Sequence, residues 1–332
     1  MIRYYYGLFP PPYGGVTIKN ELLYSELQEK IDIKKTDIEK AKKNPILLIK
    51  AFLRIIFARK SAFVIALSVG GRRRITPMLF RFNKKAMKRS LLLVMGGAFA
   101  RNVAKDDKYA KMLRMYKTIY VETEGMEKDL VSLGFNNVKI YPNCRKNIAF
   151  DKINPTDSSD FRCLFFSRIS KEKGADNVLF AAANLKDVTF DFYGEVDEDY
   201  YEEFTREINQ LDNAHYKGVF RGNRQEANNI IHGYDVLLLP TRWKNEGIPG
   251  ILVEGKFAGV PAIVSDICFN SEIIRQDEGI VLANNDVDSL TNAISLMKNE
   301  TDMTDKMKAN SRLSSKRYDI ASYIEDIISE LR

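Results

Sequence analysis

The sequence predicts an α/β protein built from two doubly wound parallel-sheet domains. Its 332 residues are about twice the length of an ordinary domain. In both halves, short apolar segments typical of buried strands alternate with segments typical of helices. Ligands of such sheets bind beside the carboxyl ends of the strands, so we expect the functional residues directly after strands.

The first half begins with a strand over Ile2–Tyr6, a loop rich in proline and glycine, and a helix from about Val16 to Gln28. Helix-forming residues return over 37–60, with an interruption at Asn44-Pro45. Apolar and amphipathic runs predict four more strands and one helix: strands at 61–68, 91–95, 117–122 and 138–141, and a helix at 124–133. The polar segment 151–160 is the predicted linker.

The second half alternates more regularly. Its predicted strands lie at 162–166, 189–193, 235–239 and 261–264. The predicted helices lie at 174–185, 199–211, 225–232, 249–258, 286–298, 303–316 and 320–331. We therefore predict a first domain over 1–150, a second domain over 161–317, and a separate C-terminal helix within 318–332.

The charge is divided unequally between the halves. Residues 1–150 contain 30 Lys and Arg against 12 Asp and Glu, whereas 151–332 contain 21 against 32. Between Glu39 and Asp106 there are 17 basic residues and no acidic one. Such an excess indicates an anionic partner for the first half, which nucleic acid, an acidic membrane surface and a phosphorylated substrate all satisfy.

Several classes of protein are excluded by composition. The three cysteines form no C-x-x-C pair, which argues against a disulfide framework or a zinc ribbon. No apolar run reaches the ~18–20 residues of a membrane-spanning helix, and the first residues lack the apolar core of a signal peptide. We therefore expect a cytoplasmic protein. The D-x-D patterns at 197–199 and 286–288 are interpreted as helix caps, and no metal is expected.

Two loops of the second half carry the chemistry. The segment 167–174 (SRISKEKG) puts Arg168 and Lys173 at a strand end beside a helix start, where cations and free amides suit a diphosphate. The segment 239–254 (LPTRWKNEGIPGILVE) puts Glu246 in a loop before a helix that contains Glu254. If that stretch were helical throughout, the two glutamates would lie roughly 12 Å apart along its axis. A solvated loop is the alternative interpretation of 167–174.

In the first half, Gly14 and Gly15 lie between the first strand and the first helix. A glycine pair at this point lets a phosphate or a sugar lie against the helix start. A tight turn is the alternative interpretation.

These segments resemble the nucleotide-sugar-binding domain of family 4 glycosyltransferases, which have the GT-B fold. The matching stretches are FFSRISKEKG (165–174), DFYGE (191–195), HYKGVF (215–220), YDVLLLPTRWKNEGIPGILVEGKFAGVPAIVSD (234–266) and GIVLANNDVDSLTNAI (279–294). In the first half, PPYGGV (11–16) and the segment 119–143 are similar to the family. The resemblance implies two Rossmann-like domains that face each other across a cleft, with the C-terminal helix packing back on the N-terminal, acceptor-side domain.

The resemblance also implies a role for each motif residue. Arg168 and Lys173 would bind the donor diphosphate, and Glu246 would contact the donor sugar near the reaction centre; these three are the candidate catalytic residues. The remaining candidates would bind the donor: Gly14 and Gly15 at the phosphates, Gly247, Ile248 and Pro249 through backbone amides, and Glu254 at the ribose hydroxyls. Retention of anomeric configuration without a metal or other cofactor is implied as well.

One feature departs from the family. Its members often carry a histidine after an N-terminal strand near the acceptor, where this chain reads Leu93-Val94-Met95-Gly96-Gly97. The two histidines, His215 and His232, both lie in the second half. The residue that activates the acceptor is therefore not assigned.

The segment Ile46–Phe57 (ILLIKAFLRIIF) is strongly apolar, with Lys50 and Arg54 four residues apart. This pattern is typical of a helix in a membrane interface, and a core-packing helix with a solvated cationic side is the alternative. Arg72–Arg74 and the basic residues of 81–89 add positive charge. We therefore hypothesise an anionic membrane surface as a partner, on the inner face of the plasma membrane.

The predicted function is transfer of a sugar from a UDP- or GDP-sugar to a growing glycan, lipid-linked and part of surface polysaccharide assembly. Epimerisation or hydrolysis of a nucleotide-sugar on the same fold is one alternative. Nucleic-acid binding by the basic half is another, but no recognised nucleic-acid-binding motif supports it, so no nucleic-acid partner is expected.

Overall fold

The computed structural model describes residues 1–11, 14–147 and 160–332. They form two compact units: Met1–Lys146 with Tyr318–Arg332, and Asn147–Arg317. Residues 151–159 of the predicted linker lie outside the described residues. Each unit contains a six-stranded sheet whose paired strands run parallel. The predicted doubly wound α/β class is confirmed.

The N-terminal unit orders its strands β2-β1-β3-β4-β5-β6. The strands are β1 (Ile2–Gly7), β2 (Ile33–Asp37), β3 (Ser61–Ala66), β4 (Leu91–Leu93), β5 (Thr118–Val121) and β6 (Val138–Ile140). The helices are α1 (Gly15–Lys30), α2 (Ile38–Lys42), α3 (Pro45–Phe57), α4 (Val69–Phe82), α5 (Lys84–Met87), α6 (Phe99–Val103), α7 (Asp107–Leu113) and α8 (Glu124–Ser132). All six residues of β3 are buried, as expected of an apolar run in the middle of a parallel sheet.

The second unit orders its strands β12-β11-β10-β7-β8-β9. The strands are β7 (Phe161–Phe166), β8 (Val188–Tyr193), β9 (Ala214–Gly218), β10 (Val236–Leu239), β11 (Ala262–Ser265) and β12 (Gly279–Leu282). The helices are α9 (Ala175–Asn184), α10 (Tyr201–Ile208), α11 (Arg224–His232), α12 (Gly250–Ala258), α13 (Asn270–Ile273), α14 (Val287–Asn299) and α15 (Thr301–Ser314).

The last helix, α16 (Ile324–Leu331), belongs to the N-terminal unit. Its residues Ile324, Ile327, Ile328 and Leu331 are buried in the same core as residues of β1, β3, β4, β5 and α1. The Nε atom of Arg3 donates to the carbonyl of Leu331 at 2.8 Å, so the two chain ends meet in one unit. The predicted return of the C-terminal helix to the first domain is confirmed.

Three strands and several helices were absent from the sequence prediction. The strands β2 and β9 are edge strands with only a few buried residues, so they lack the apolar run that marks the interior strands. The strand β12 is a four-residue apolar segment. The helix α4 contains a Gly-Gly pair in its first turn and Pro77 in its interior, both of which disfavour a helix.

The interruption predicted at Asn44-Pro45 is confirmed, because Asn44 caps α3 by accepting from the amides of Ile46 and Leu47. Only Ala51 and Ile55 of α3 are buried. Seven large apolar residues of this helix are exposed: Ile46, Leu47, Leu48, Ile49, Phe52, Leu53 and Phe57. The core-packing alternative is therefore wrong for most of this helix.

Among the residues that the structure describes, no helix combines the length and the apolar character needed to cross a membrane.

Candidate active site

Lys173 and Glu246 form an ion pair at the carboxyl edge of the second sheet. Lys173 follows β7 and Glu246 follows β10, and these two strands are neighbours in the sheet. The Lys173 Nζ atom contacts Glu246 Oε2, and each side chain is only 15% exposed. The structure thus brings together two of the three candidate catalytic residues, as expected for residues that follow adjacent parallel strands.

The turn that carries Lys173 is held against the end of β10 by its backbone. The Ser170 hydroxyl accepts from the Lys173 amide at 3.2 Å and starts a short 3₁₀ turn over Lys171–Lys173. Gly174 ends this turn with a φ of 80°, in the left-handed region that favours glycine. A Cβ atom at Gly174 would lie 2.1 Å from the Pro240 carbonyl oxygen. Only glycine allows the two backbones to come this close.

Arg242 stabilises the same turn through its backbone amide and its side chain. Its amide donates to the Glu172 carbonyl at 2.7 Å, and its Nη1 atom donates to the Lys171 carbonyl at 2.6 Å. Nη1 also reaches Asp176 Oδ1 at 2.8 Å, and Nη2 donates to Asn177 Oδ1 at 2.6 Å. Asp176 and Asn177 belong to the first turn of α9. Arg242 therefore fixes the loop after β7 to the loop after β10.

Sequence reasoning did not single out Arg242. Its only signal was a charged residue directly after a buried strand, in the segment LPTRW. Two neighbouring loops complete this edge of the sheet. Asn285 donates to the carbonyls of Pro240 and Thr241, and the Ser265 hydroxyl donates to the Thr241 carbonyl at 2.6 Å.

Arg168 is placed differently from Lys173. About half of its side chain (51%) is exposed, and its ion-pair partners are Asp197 at 3.5 Å and Glu172 at 3.9 Å. The structure does not pair it with Glu246. Lys171, in the same loop, binds Glu203 at 2.6 Å, and this contact raises the Lys171 pKa above its usual value.

The turn from Glu246 to α12 is not helical. The helix begins at Gly250, with Pro249 as its N-cap residue and no capping hydrogen bond from a side chain. Ile248 and Pro249 are buried, whereas Gly247 is partly exposed. The predicted loop at Glu246 and helix at 249–258 are confirmed, and the estimate of roughly 12 Å does not apply because the Gly-Ile-Pro segment forms the turn that precedes the helix.

Glu254 lies in α12 and faces α11. Its Oε2 atom accepts from Arg224 Nε at 2.9 Å and from Asn228 Nδ2 at 2.9 Å, and its side chain is 14% exposed. Arg224 and Asn228 are four residues apart, on one face of α11. Sequence reasoning missed both, since nothing in the sequence shows which carboxylate this helix faces.

Gly14 and Gly15 lie at the start of α1 in the N-terminal unit; Pro12 and Tyr13 lie outside the described residues. The Gly14 backbone is extended, and its amide donates to the Thr17 hydroxyl at 2.9 Å. A Cβ atom at either glycine would meet no described atom within 4 Å. Neither packing nor backbone conformation in the described structure explains the glycine pair.

The two D-x-D patterns have separate roles. Asp286 caps α14 by accepting from the Ser289 amide at 2.7 Å, as predicted, and this bond lowers its pKa. Asp197 precedes a 3₁₀ turn without a capping side-chain bond and pairs with Arg168 instead. Within the described ranges, no group of three or more His, Cys, Asp or Glu side chains is arranged to hold a metal ion.

Comparison with known proteins identifies the family and the fold of this chain. The family model "Glycosyl transferases group 1" matches residues 147–314, which is half of the chain. The chain belongs to this family, and the resemblance to GT-B glycosyltransferases of family 4 is confirmed.

Individual relatives are more distant. A 74-residue segment, 22% of this chain and 19% of the relative, is 36% identical to an Escherichia coli UDP-Gal:alpha-D-GlcNAc-diphosphoundecaprenol alpha-1,3-galactosyltransferase. Over 165 residues, 45% of this chain and 40% of the relative, it is 27% identical to an uncharacterized 41.2 kDa protein in the cps region of Klebsiella pneumoniae. The matches thus span less than half of either curated relative.

A solved structure covers the whole fold. Anabaena HepE in complex with UDP superposes with a TM-score of 0.74 over 99% of both chains, at 15% sequence identity. This likeness establishes the shared GT-B fold of the two chains.

Proposed function

We propose that this protein is a glycosyltransferase that moves a sugar from a UDP-sugar to a growing, lipid-linked glycan. Family membership supports the reaction class. The UDP complex of HepE and the name of the Escherichia coli relative support a UDP-sugar donor. The diphosphoundecaprenol acceptor in that name and the cps region of the Klebsiella relative support a lipid-linked acceptor in surface polysaccharide assembly.

The observation that carries this proposal is the Lys173–Glu246 pair. As the glycosidic bond to the donor breaks, the leaving UDP gains negative charge. Lys173 and Arg168 would meet that charge, together with the start of α12, which no side chain caps. Glu246 neutralises Lys173 until the donor arrives and then contacts the sugar. The reaction would retain anomeric configuration without a metal.

The donor-binding roles are proposed accordingly. The backbone of Gly247, Ile248 and Pro249 would touch phosphate and sugar, and Glu254, held by Arg224 and Asn228, would accept from the ribose hydroxyls. The open space beside Gly14 and Gly15 would admit the donor phosphates.

The test compares two lysines of one turn. Lys173→Ala removes the proposed phosphate contact, whereas Lys171→Ala removes a cation whose partner is Glu203. We expect Lys173→Ala to lower kcat about 10²–10³-fold, the range for one transition-state donor, and to reduce the rise in melting temperature with UDP-sugars. Lys171→Ala should behave as wild type. Equal activity of the two variants would refute the assignment.

The same assay separates the alternatives. UDP-, GDP- and ADP-sugars are each incubated with and without glycan acceptors. Transfer only in the presence of an acceptor supports the proposal. Release of free sugar or of an altered sugar without an acceptor would instead identify a hydrolase or an epimerase.

We further propose that α3 docks on an anionic membrane at the inner face of the plasma membrane. Seven exposed apolar side chains on one 13-residue helix need a partner. Ile46, Ile49, Leu53 and Phe57 form one open apolar surface together with Lys50 and Arg54. Because the surrounding chain is rich in lysine and arginine, we assign an anionic bilayer as that partner. Each exposed lysine or arginine contributes roughly 1 kcal/mol near such a surface.

Flotation with phosphatidylglycerol vesicles tests this docking. We expect the wild type to float at about 0.15 M salt and to be released at high salt, because screening weakens the cationic contribution. Leu53→Asp should abolish flotation. Leu313→Asp, at an exposed leucine in α15, is the matched control and should still float. A wild type that stays soluble with vesicles but dimerises through α3 would overturn the membrane proposal.

A further inference from the structure

Arg72 is a buried arginine whose guanidinium is not fully hydrogen-bonded within the part of the chain that the structure describes. It lies in the first turn of α4, directly after β3, and is only 2% exposed. Its guanidinium lies over the ring of Phe99, 5.1 Å from the ring centroid. The Nη1 atom is fully buried and has no hydrogen-bond partner among the residues that the structure describes. Burial lowers the Arg72 pKa from its usual value, yet an arginine stays protonated.

Another buried arginine of the same unit shows what a structural guanidinium looks like. Arg145 is 4% exposed, and its Nη1 atom donates to the Asn143 carbonyl, to Asn143 Oδ1 and to the Cys144 carbonyl. Buried charged groups are almost always satisfied in this way, because an unsatisfied one loses its hydration without compensation. Arg72 therefore needs an explanation beyond packing.

The charges around Arg72 leave one cation in excess. Glu122, which follows β5 and acts electrostatically on Arg72, is buried and already binds Lys19 at 2.9 Å. The Gly96 amide, after β4, also donates to Glu122 at 3.3 Å. One carboxylate thus serves two buried cations, at the carboxyl edge of β3, β4 and β5, where such sheets bind ligands.

The start of α4 is open at Gly70, two residues before Arg72. Ser68, the N-cap residue of α4, makes no capping side-chain hydrogen bond, so the first amides of this 14-residue helix have no side-chain acceptor there. A Cβ atom at Gly70 would meet no described atom within 4 Å. An oxyanion at this helix start would be met by free amides and by a guanidinium in the same turn.

We propose that Arg72 and the start of α4 bind the phosphate of the acceptor, which makes the acceptor a diphosphate-linked glycan. That the ligand is the acceptor rests on the proposed function, whereas the anion site itself does not. Arg72 does not take over the role of the histidine that family members often carry near the acceptor. It positions the acceptor through its phosphate and takes no part in proton transfer.

Calorimetric titration of the full-length protein, with the donor site filled by saturating UDP, tests the site. The probes are geranyl diphosphate, inorganic pyrophosphate and geraniol. We expect Arg72→Met to weaken geranyl diphosphate binding at least tenfold and to leave geraniol unaffected. An equal loss for pyrophosphate assigns the diphosphate alone as the ligand, and a loss confined to geranyl diphosphate assigns the lipid-bearing form. Unchanged diphosphate binding in Arg72→Met would overturn the proposal.

Two further variants keep the result interpretable. Arg73→Met removes the adjacent exposed arginine, which pairs with Asp106, and should bind as wild type. Arg72→Lys keeps the charge without the planar guanidinium and should fold and bind at intermediate strength, even where Arg72→Met is unstable. A protein that binds diphosphate through Arg72 but transfers no sugar would retain this site and refute the proposed function. Sugar transfer that is unchanged in Arg72→Met would support the proposed function and refute the role of Arg72 in binding the acceptor.

Discussion

At the scale of single residues, Lys256 shows how a buried cation is tolerated beside the candidate site. It lies in α12 with no exposed surface, and its Nζ atom donates to Glu278 at 2.6 Å and to the Ser314 hydroxyl at 3.1 Å. Arg317 also donates to Glu278, at 2.6 Å. Because two cations share one carboxylate, burial dominates and lowers the Lys256 pKa to about 8.

This pKa makes stability depend on pH. A lysine with a folded pKa near 8 and an unfolded pKa near 10.5 releases its proton earlier in the folded state. The unfolded state then binds more protons between those two values, so this residue's contribution makes stability rise with pH across that window. Urea unfolding at pH 7.5 and 9.5 should show the wild type gaining about 2 kcal/mol relative to Lys256→Met. Parallel pH profiles for the two proteins would show that Lys256 does not titrate in this range.

Single residues also show which part of the candidate site can be predicted from the sequence. Lys173 and Glu246 were predictable as neighbours, because each follows an apolar strand and the two strands are adjacent. The bonds from Arg242 and the partners of Glu254 were not. They depend on the direction of side chains between segments more than 20 residues apart in the chain, and residue type alone does not determine that direction.

At the scale of elements, a substitution at the start of α1 should change donor binding without lowering stability. Gly15 is the first residue of this helix and has open space where a Cβ atom would lie. Gly15→Ala should therefore leave the melting temperature unchanged or raise it, since alanine favours a helix by about 0.4–1 kcal/mol over glycine. If donor phosphates lie against this turn, the methyl group should raise the KM for the UDP-sugar about tenfold or more.

Gly70→Ala is the matched control for that change, because Gly70 occupies the first turn of α4 with equally open space. It should leave the donor KM unchanged, and any effect of its methyl group on the proposed phosphate site at α4 would fall on the acceptor KM. A donor KM that is the same in wild type and Gly15→Ala would remove the glycine pair from the donor site. A large loss of stability would show that the pair is needed for folding.

Elements differ in how well the sequence predicts them. The interior strands β3 and β10 are fully buried, so their apolar runs predicted them directly. Edge strands such as β2 and β9 pair on one side only and carry exposed polar residues, so their sequences are not distinctive. For α3 the sequence left two interpretations open, because an apolar run does not show whether its surface is covered, and the structure exposes most of it.

At the scale of the whole molecule, the chain closes the N-terminal unit with its last residues. Ile320, Ile324, Ile327, Ile328 and Leu331 share a core with Tyr5, Leu23 and Tyr120. Polar contacts add to this packing: the Tyr120 hydroxyl donates to Asp326 at 2.7 Å, and Lys139 donates to Asp326 and Glu330. The N-terminal unit is therefore complete only after the second unit has been synthesised.

This order of assembly predicts that a change near residue 330 destabilises residues 1–146. Ile327→Asp places an uncompensated carboxylate in the N-terminal core and should cost that unit at least about 3 kcal/mol. Ser329→Asp, two residues away on the exposed side of α16, should change its stability by less than about 0.5 kcal/mol. Limited trypsin digestion with mass analysis of the fragments should show cleavage throughout 1–146 in Ile327→Asp alone, while 160–317 stays protected because its core receives nothing from α16. Resistance of the Ile327→Asp variant equal to that of the wild type would mean that the N-terminal unit holds its fold without its final helix.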